Sequence, residues 1–132
     1  MIPAKRLAIL LALVAVAAHG TDTFDQRVHR AKLVESQGDG KPYVHDMWMH
    51  VEADANTAMR ACFKAGTPPD TSAFVMVANV LPTGGLGNID LRPRTPMAQC
   101  FADRFAKAPF PLTPTIFGDA GVPIVIEMNI KP

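Results

Sequence analysis

The chain has 132 residues, 48% of them apolar and 19% charged, with a formal net charge of +1 and an aromatic share of 7%. That length gives one small domain, and the apolar share excludes a disordered chain. The balanced charge and scarcity of rings exclude a nucleic-acid binder working through phosphate contacts and base stacking.

Lys5 and Arg6 precede a charge-free apolar run from Leu7 to Ala18, and Val16-Ala17-Ala18 or Ala18-His19-Gly20 supplies small residues for cleavage. Residues 1–20 therefore read as a secretory signal peptide. The run is shorter than the roughly 20 apolar residues a spanning helix needs, so no stable membrane span is expected after cleavage. Loss of Lys5 and Arg6 takes the 13 basic residues to 11, against 12 acidic ones, a charge of −1 that does not steer the chain to an anionic membrane. The expected location is the periplasm or the medium. In such an oxidising compartment the two cysteines, Cys62 and Cys100, are expected to form a disulfide.

Residues 21–45 read as an N-terminal helix and linker. Phe24, Val28, Ala31 and Val34 give weak helical spacing, predicting a marginal helix docked loosely, and Gln37-Gly38-Asp39-Gly40-Lys41-Pro42 reads as a turn. Residues 46–132 then form the main domain. Trp48, Val51, Ala55, Ala58, Met59 and Cys62 recur at steps of three and four, predicting a helix from Asp46 to Ala65 that Gly66 and Pro68-Pro69 terminate. Ala73 to Leu81 and Leu86 to Arg92 read as an antiparallel hairpin about Pro82-Thr83-Gly84-Gly85, with Asn88, Asp90 and Arg92 making one face of the second strand polar. Thr95-Pro96 is an N-cap and first-turn proline, opening a helix whose Met97, Cys100, Phe101, Phe105 and Ala108 share a face until Pro109. After a proline-rich loop, Val122, Ile124, Ile126, Met128 and Ile130 alternate along a last strand, with Pro123 at its start suiting an edge.

The expected fold is thus α+β: a small antiparallel three-stranded sheet with two helices on one face, ordered helix-strand-strand-helix-strand and preceded by a short N-terminal helix. Each of the two main helices turns one cysteine inward, so a Cys62 to Cys100 bridge would staple them side by side.

That order, with Ala73-Phe74-Val75-Met76-Val77, the turn Pro82-Thr83-Gly84-Gly85-Leu86, the strand Asn88-Ile89-Asp90-Leu91, the helix Thr95 to Ala108, Phe110-Pro111 and Gly121-Val122-Pro123-Ile124-Val125-Ile126, resembles the C-terminal domain of the TonB energy-transducer family. The resemblance implies a TonB-C-like periplasmic domain that works by protein contact, in some members by lending its C-terminal strand edge to a partner peptide. Here that strand carries Val122, Ile124, Ile126, Met128 and Ile130. A cleavable leader and the lack of a long proline-rich spacer depart from a transducer, so fold and binding style carry over and energy transduction does not. The expected partner is another envelope protein or peptide, bound by strand addition without a cofactor or catalysis.

The alternative is copper or zinc binding through His45, Met47, Met49 and His50, soft and borderline ligands gathered in one segment. On a helix His45 and His50 do not share a face, and Trp48 joins the apolar stripe, which favours a plain helix start. The wide cysteine spacing lacks a Cys-x-x-Cys redox arrangement, and neither Ser36 nor Ser72 sits in a Gly-x-Ser-x-Gly turn. Asp90, Asp103 and Glu127 remain as carboxylates that could meet in space. Gly84-Gly85-Leu86-Gly87 precedes a strand, not the helix N-terminus that phosphate binding needs.

Overall fold

A computed structural model describes residues 22–64 and 70–130; the leader expected at 1–20 and the helix stop expected at Gly66 lie outside the described residues. Helix α1, Phe24–Ser36, begins at Thr23, whose hydroxyl accepts from the Gln26 N–H while the Gln26 side chain accepts from the Thr23 N–H. This reciprocal cap satisfies two donors that a short helix would otherwise leave open. The chain then turns through Gly38, at a φ of 60°.

Helix α2 runs Gly40–Lys64, so it starts six residues before the expected Asp46 and takes in residues 40–45, which the sequence assigned to the linker. Pro42 lies in its first turn, where a missing N–H breaks no helical bond. Gly40 serves close packing: a Cβ there would come 2.3 Å from the Val34 carbonyl oxygen. The only break between α1 and α2 is therefore Gln37 to Asp39.

Strands β1 (Phe74–Val80), β2 (Leu86–Arg92) and β3 (Val122–Met128) form one antiparallel sheet in the order β2-β1-β3. Between β2 and β3 lies helix α3, Pro96–Phe105, whose Thr95 hydroxyl accepts from the Ala98 N–H. It ends three residues before Ala108, the last apolar position of the sequence pattern. The amides of Ala106, Lys107 and Ala108 turn back onto carbonyls of the last helical turn. The loop that follows holds a short 3-10 turn at Thr115–Phe117.

The α+β architecture, the three-stranded antiparallel sheet and the order of its elements along the chain agree with the sequence, as do two helices on one sheet face; the sheet order β2-β1-β3 comes from the structure. Phe74, Met76, Ala78 and Val80 point from β1 toward α2 and α3, where they meet Met47, Val51, Phe101 and Phe105. Phe105 stacks on Phe101 at 5.2 Å and on Trp48 at 6.2 Å, and meets Phe110 edge-on at 5.3 Å. Helix α1 differs from the loose docking expected of it. Phe24 and Ala31 are buried against Val77 and Val125 on the opposite sheet face, so this small sheet is covered on both sides. The apolar stripe of α1 is short because its target is narrow: on that face only the β1 and β3 positions are apolar.

Cys62 and Cys100 are bonded, with Cα atoms 5.9 Å apart, across the α2–α3 contact. Tyr43, buried near the start of α2, donates its hydroxyl to the Pro111 carbonyl at 2.8 Å and so holds the long loop. No described helix is long and apolar enough to cross a membrane.

Replacing both cysteines by serine opens a loop of 38 residues. By chain entropy the variant should lose about 4 kcal/mol at most, read as a lower urea midpoint. Burial pushes the Tyr43 phenol up to about 12. The folded state then holds a proton that the unfolded chain releases near pH 10, so stability should fall between about pH 10 and 12. Tyr43→Phe should flatten that part of a stability–pH curve, and an unchanged slope would show that Tyr43 does not govern it.

Candidate functional site

A three-stranded sheet exposes two edges, and they are built differently here. Between Val77 and Asn79 on β1 the pairing with β2 shifts by one residue, leaving Asn88 and Ile89 opposite Ala78 alone. Asn88 takes a φ of 50°, the left-handed conformation of a bulge residue, and Arg27 from α1 donates to its carbonyl. Bulging and capping blunt an edge against strand addition.

Strand β3 pairs with β1 in unbroken register from Phe74↔Met128 to Val80↔Val122. The Leu81 N–H donates to Gly85 across the hairpin, which turns the odd-numbered backbone groups of β1 toward β2 and the even-numbered ones toward β3. Gly121 agrees with this: at its φ of 75°, a Cβ would come 1.9 Å from the Val80 carbonyl oxygen, which points at β3. The backbone groups of Val122, Ile124, Ile126 and Met128 are therefore spent on β1. Those of Pro123, Val125 and Glu127 face away from it, and no described strand pairs with them. Pro123, without an N–H, suits that outer side.

The five residues that mark this strand in the sequence thus act from the inside. Val122, Ile124 and Ile126 are buried in the core, and Met128 and Ile130 pack against it half-buried. The outward side belongs to residues between them. Val125 is only 8% exposed because α1 lies on it, whereas Glu127 and Asn129 are exposed. The accessible part of the edge begins at Glu127. Beside it runs an open groove of about 390 Å³, walled by Trp48, Glu52 and Asn56 of α2 and floored by Phe101 and Met128. The sequence singled out Trp48 only as part of an apolar stripe; its place beside β3 follows from how α2 crosses the sheet.

Glu127 is held by Lys32 of α1 at 2.7 Å, and this hydrogen bond raises the Lys32 ammonium above its ordinary value. Burial raises the nearby Glu35 carboxyl, against the pull of Lys32. The candidate carboxylates are not brought together: Asp90 pairs with Arg94, Asp103 accepts from the Gln99 amide, and Glu127 pairs with Lys32.

Helix α2 also separates the His/Met segment. Met47 is fully buried, while His45 and His50 are exposed and Met49 is 72% exposed. His50 Nδ1 lies 2.8 Å from the Asp46 carbonyl, to which its N–H donates. Trp48 is half-buried in its stack with Phe105. Met47 therefore cannot join the other three at one site, and no group of three or more His, Cys, Asp or Glu among the described residues could hold a metal ion.

Comparison with protein-family models, with curated proteins and with solved structures found no match.

Hydrogen exchange tests the edge assignment. The Glu127 amide should exchange markedly faster than those of Ile124 and Ile126, which bond to β1. Equal protection at all three would mean that the outer side of β3 is covered.

Proposed function

We propose that this chain is an exported, TonB-C-like envelope domain that acts by protein contact, pairing an extended segment of a partner with the outer side of β3 from Glu127 onward. The observation that carries the reading is the contrast between the two sheet edges. β2 is interrupted by a bulge and capped by Arg27, while β3 stays regular and opens onto a groove.

Main-chain pairing to the Glu127 amide and carbonyl would supply directional hydrogen bonds. Side chains of the added segment would alternate, with one set directed into the groove against Trp48 and Met128. Export is the reading of the basic start and apolar run at residues 5–18, and the disulfide fits an oxidising compartment. A rigid, stapled body with one available strand edge is suited to holding a peptide without changing it chemically.

A photo-crosslinking side chain placed at Glu127, and separately at Asn88, should give a partner adduct in exporting cells only from the first position. Glu127→Pro at the paired position removes the outward N–H while leaving the β1 ladder bonds of Ile126 and Met128. It should abolish an adduct formed from a crosslinker at Asn129. Adducts of equal yield from both edges, or an adduct that persists in the proline variant, would contradict strand addition at β3.

A further inference from the structure

The groove beside β3 has a closed floor and chemically uneven walls. Phe101 and Ile126 are buried, so no deep apolar socket opens there for a leucine or phenylalanine side chain. What stays accessible is Met128 and the Trp48 indole, both half-buried, with the exposed side chains of Glu52 and Asn56. Trp48, Glu52 and Asn56 follow one another at steps of four along α2, a row of about 12 Å at the helical rise. No arginine or lysine lines the groove, and its two glutamates are differently placed. Glu127 spends its carboxylate on Lys32 of α1, which covers the other sheet face. Glu52 takes part in none of the ion pairs among the described residues, and its helical neighbours three and four residues away, Trp48, Met49, Ala55 and Asn56, are uncharged. The groove therefore holds one uncompensated negative charge beside an indole.

We propose that the segment received at β3 is basic: an arginine or lysine side chain that it directs into the groove lies along Trp48 and Met128 and ends on the Glu52 carboxylate. This rests on the strand-addition reading. A strand added outside β3 turns alternate side chains, about 7 Å apart, to the face that Ile126 and Met128 share, so two of them meet the row on α2. A long aliphatic stem matches the shallow apolar surface of Trp48 and Met128, and its charged head reaches the open rim where Glu52 stands. An indole attracts a cation over its ring more strongly than other aromatic side chains do. The Asn56 side-chain oxygen can accept a further N–H of the same head. A neutral apolar side chain would take water from Glu52 without giving it a partner, and an acidic one would be repelled.

The test is selection from a random phage-displayed peptide library against the full exported chain with its disulfide intact. Affinities of the selected peptides are then read through Trp48, the only tryptophan in the sequence. The peptides should carry arginine or lysine at alternate positions of an extended segment, and their binding should change the Trp48 emission. Glu52→Gln should weaken them about three- to tenfold and flatten the dependence of affinity on salt. Selection against Glu52→Lys should instead favour aspartate or glutamate in that place. Glu52 is exposed, so neither substitution disturbs the core. Peptides that protect the Glu127 amide from exchange yet lack a basic residue, or that bind Glu52→Gln unchanged, would overturn the inference and leave strand addition standing. Basic peptides that bind without protecting Glu127 would remove the strand reading and this inference with it, and a library that yields no binder would contradict both.

Discussion

Three strands make a sheet with two faces and too little width to shield either, so this fold depends on covering β1 from both sides. β1 is the middle strand, and its residues divide strictly: Phe74, Met76, Ala78 and Val80 face α2 and α3, while Val77 faces α1. Both covering layers also rest on β3, through Val122, Ile124 and Ile126 on one face and Val125 on the other. The two-helix layer is locked by the Cys62–Cys100 bond and by the stack of rings around Phe105. The single helix on the other face is locked by Phe24 and Ala31 within the narrow apolar strip of β1 and β3, and by Arg27 and Lys32 at its flanks.

That covering scheme also sets the character of the surface. Because α1 lies over the β1–β3 half of its face, the polar row of β2 is left beside it, and an arginine-lined hollow forms there. Because α2 crosses the other face near β3, a groove opens along the edge of that strand. The bulge at Asn88 and the regularity of β3 then make the two edges unequal. Strand addition at β3 is proposed from this asymmetry, which is a property of backbone geometry more than of any particular side chain.

Much of the architecture was legible because the patterns were local. Strand β2 shows alternating Ile89 and Leu91, and its bounds match the sequence reading; Thr95-Pro96 marks the start of α3, and the spacing of Cys62 and Cys100 on inward faces anticipates their bond. The first turns of α2 were not legible, because Gly40 and Pro42 carry the composition of a turn. Gly40 is needed for contact with Val34, and Pro42 is harmless in a first turn, facts that only the packed structure supplies. The docking of α1 was obscured for a related reason: its weak apolar periodicity is matched to a narrow partner surface that no local pattern describes. For the candidate site, the sequence identified the strand but not which backbone groups remain open, since that depends on the hairpin register at Leu81 and Gly85. The His/Met segment stood out by composition and is divided by the helix, with Met47 in the core and His45, Met49 and His50 outside it.

Helices α2 and α3 are covalently joined by the Cys62–Cys100 bond, export is proposed, and intact mass after export tests both together. The mature protein should have lost a segment ending near Ala18 or Gly20. It should take up no alkylating reagent until reduced, and then two equivalents, one for each cysteine. A retained leader, or thiols that alkylate without reduction, would contradict the account: the first would remove the envelope location, and the second the bond that holds α2 against α3.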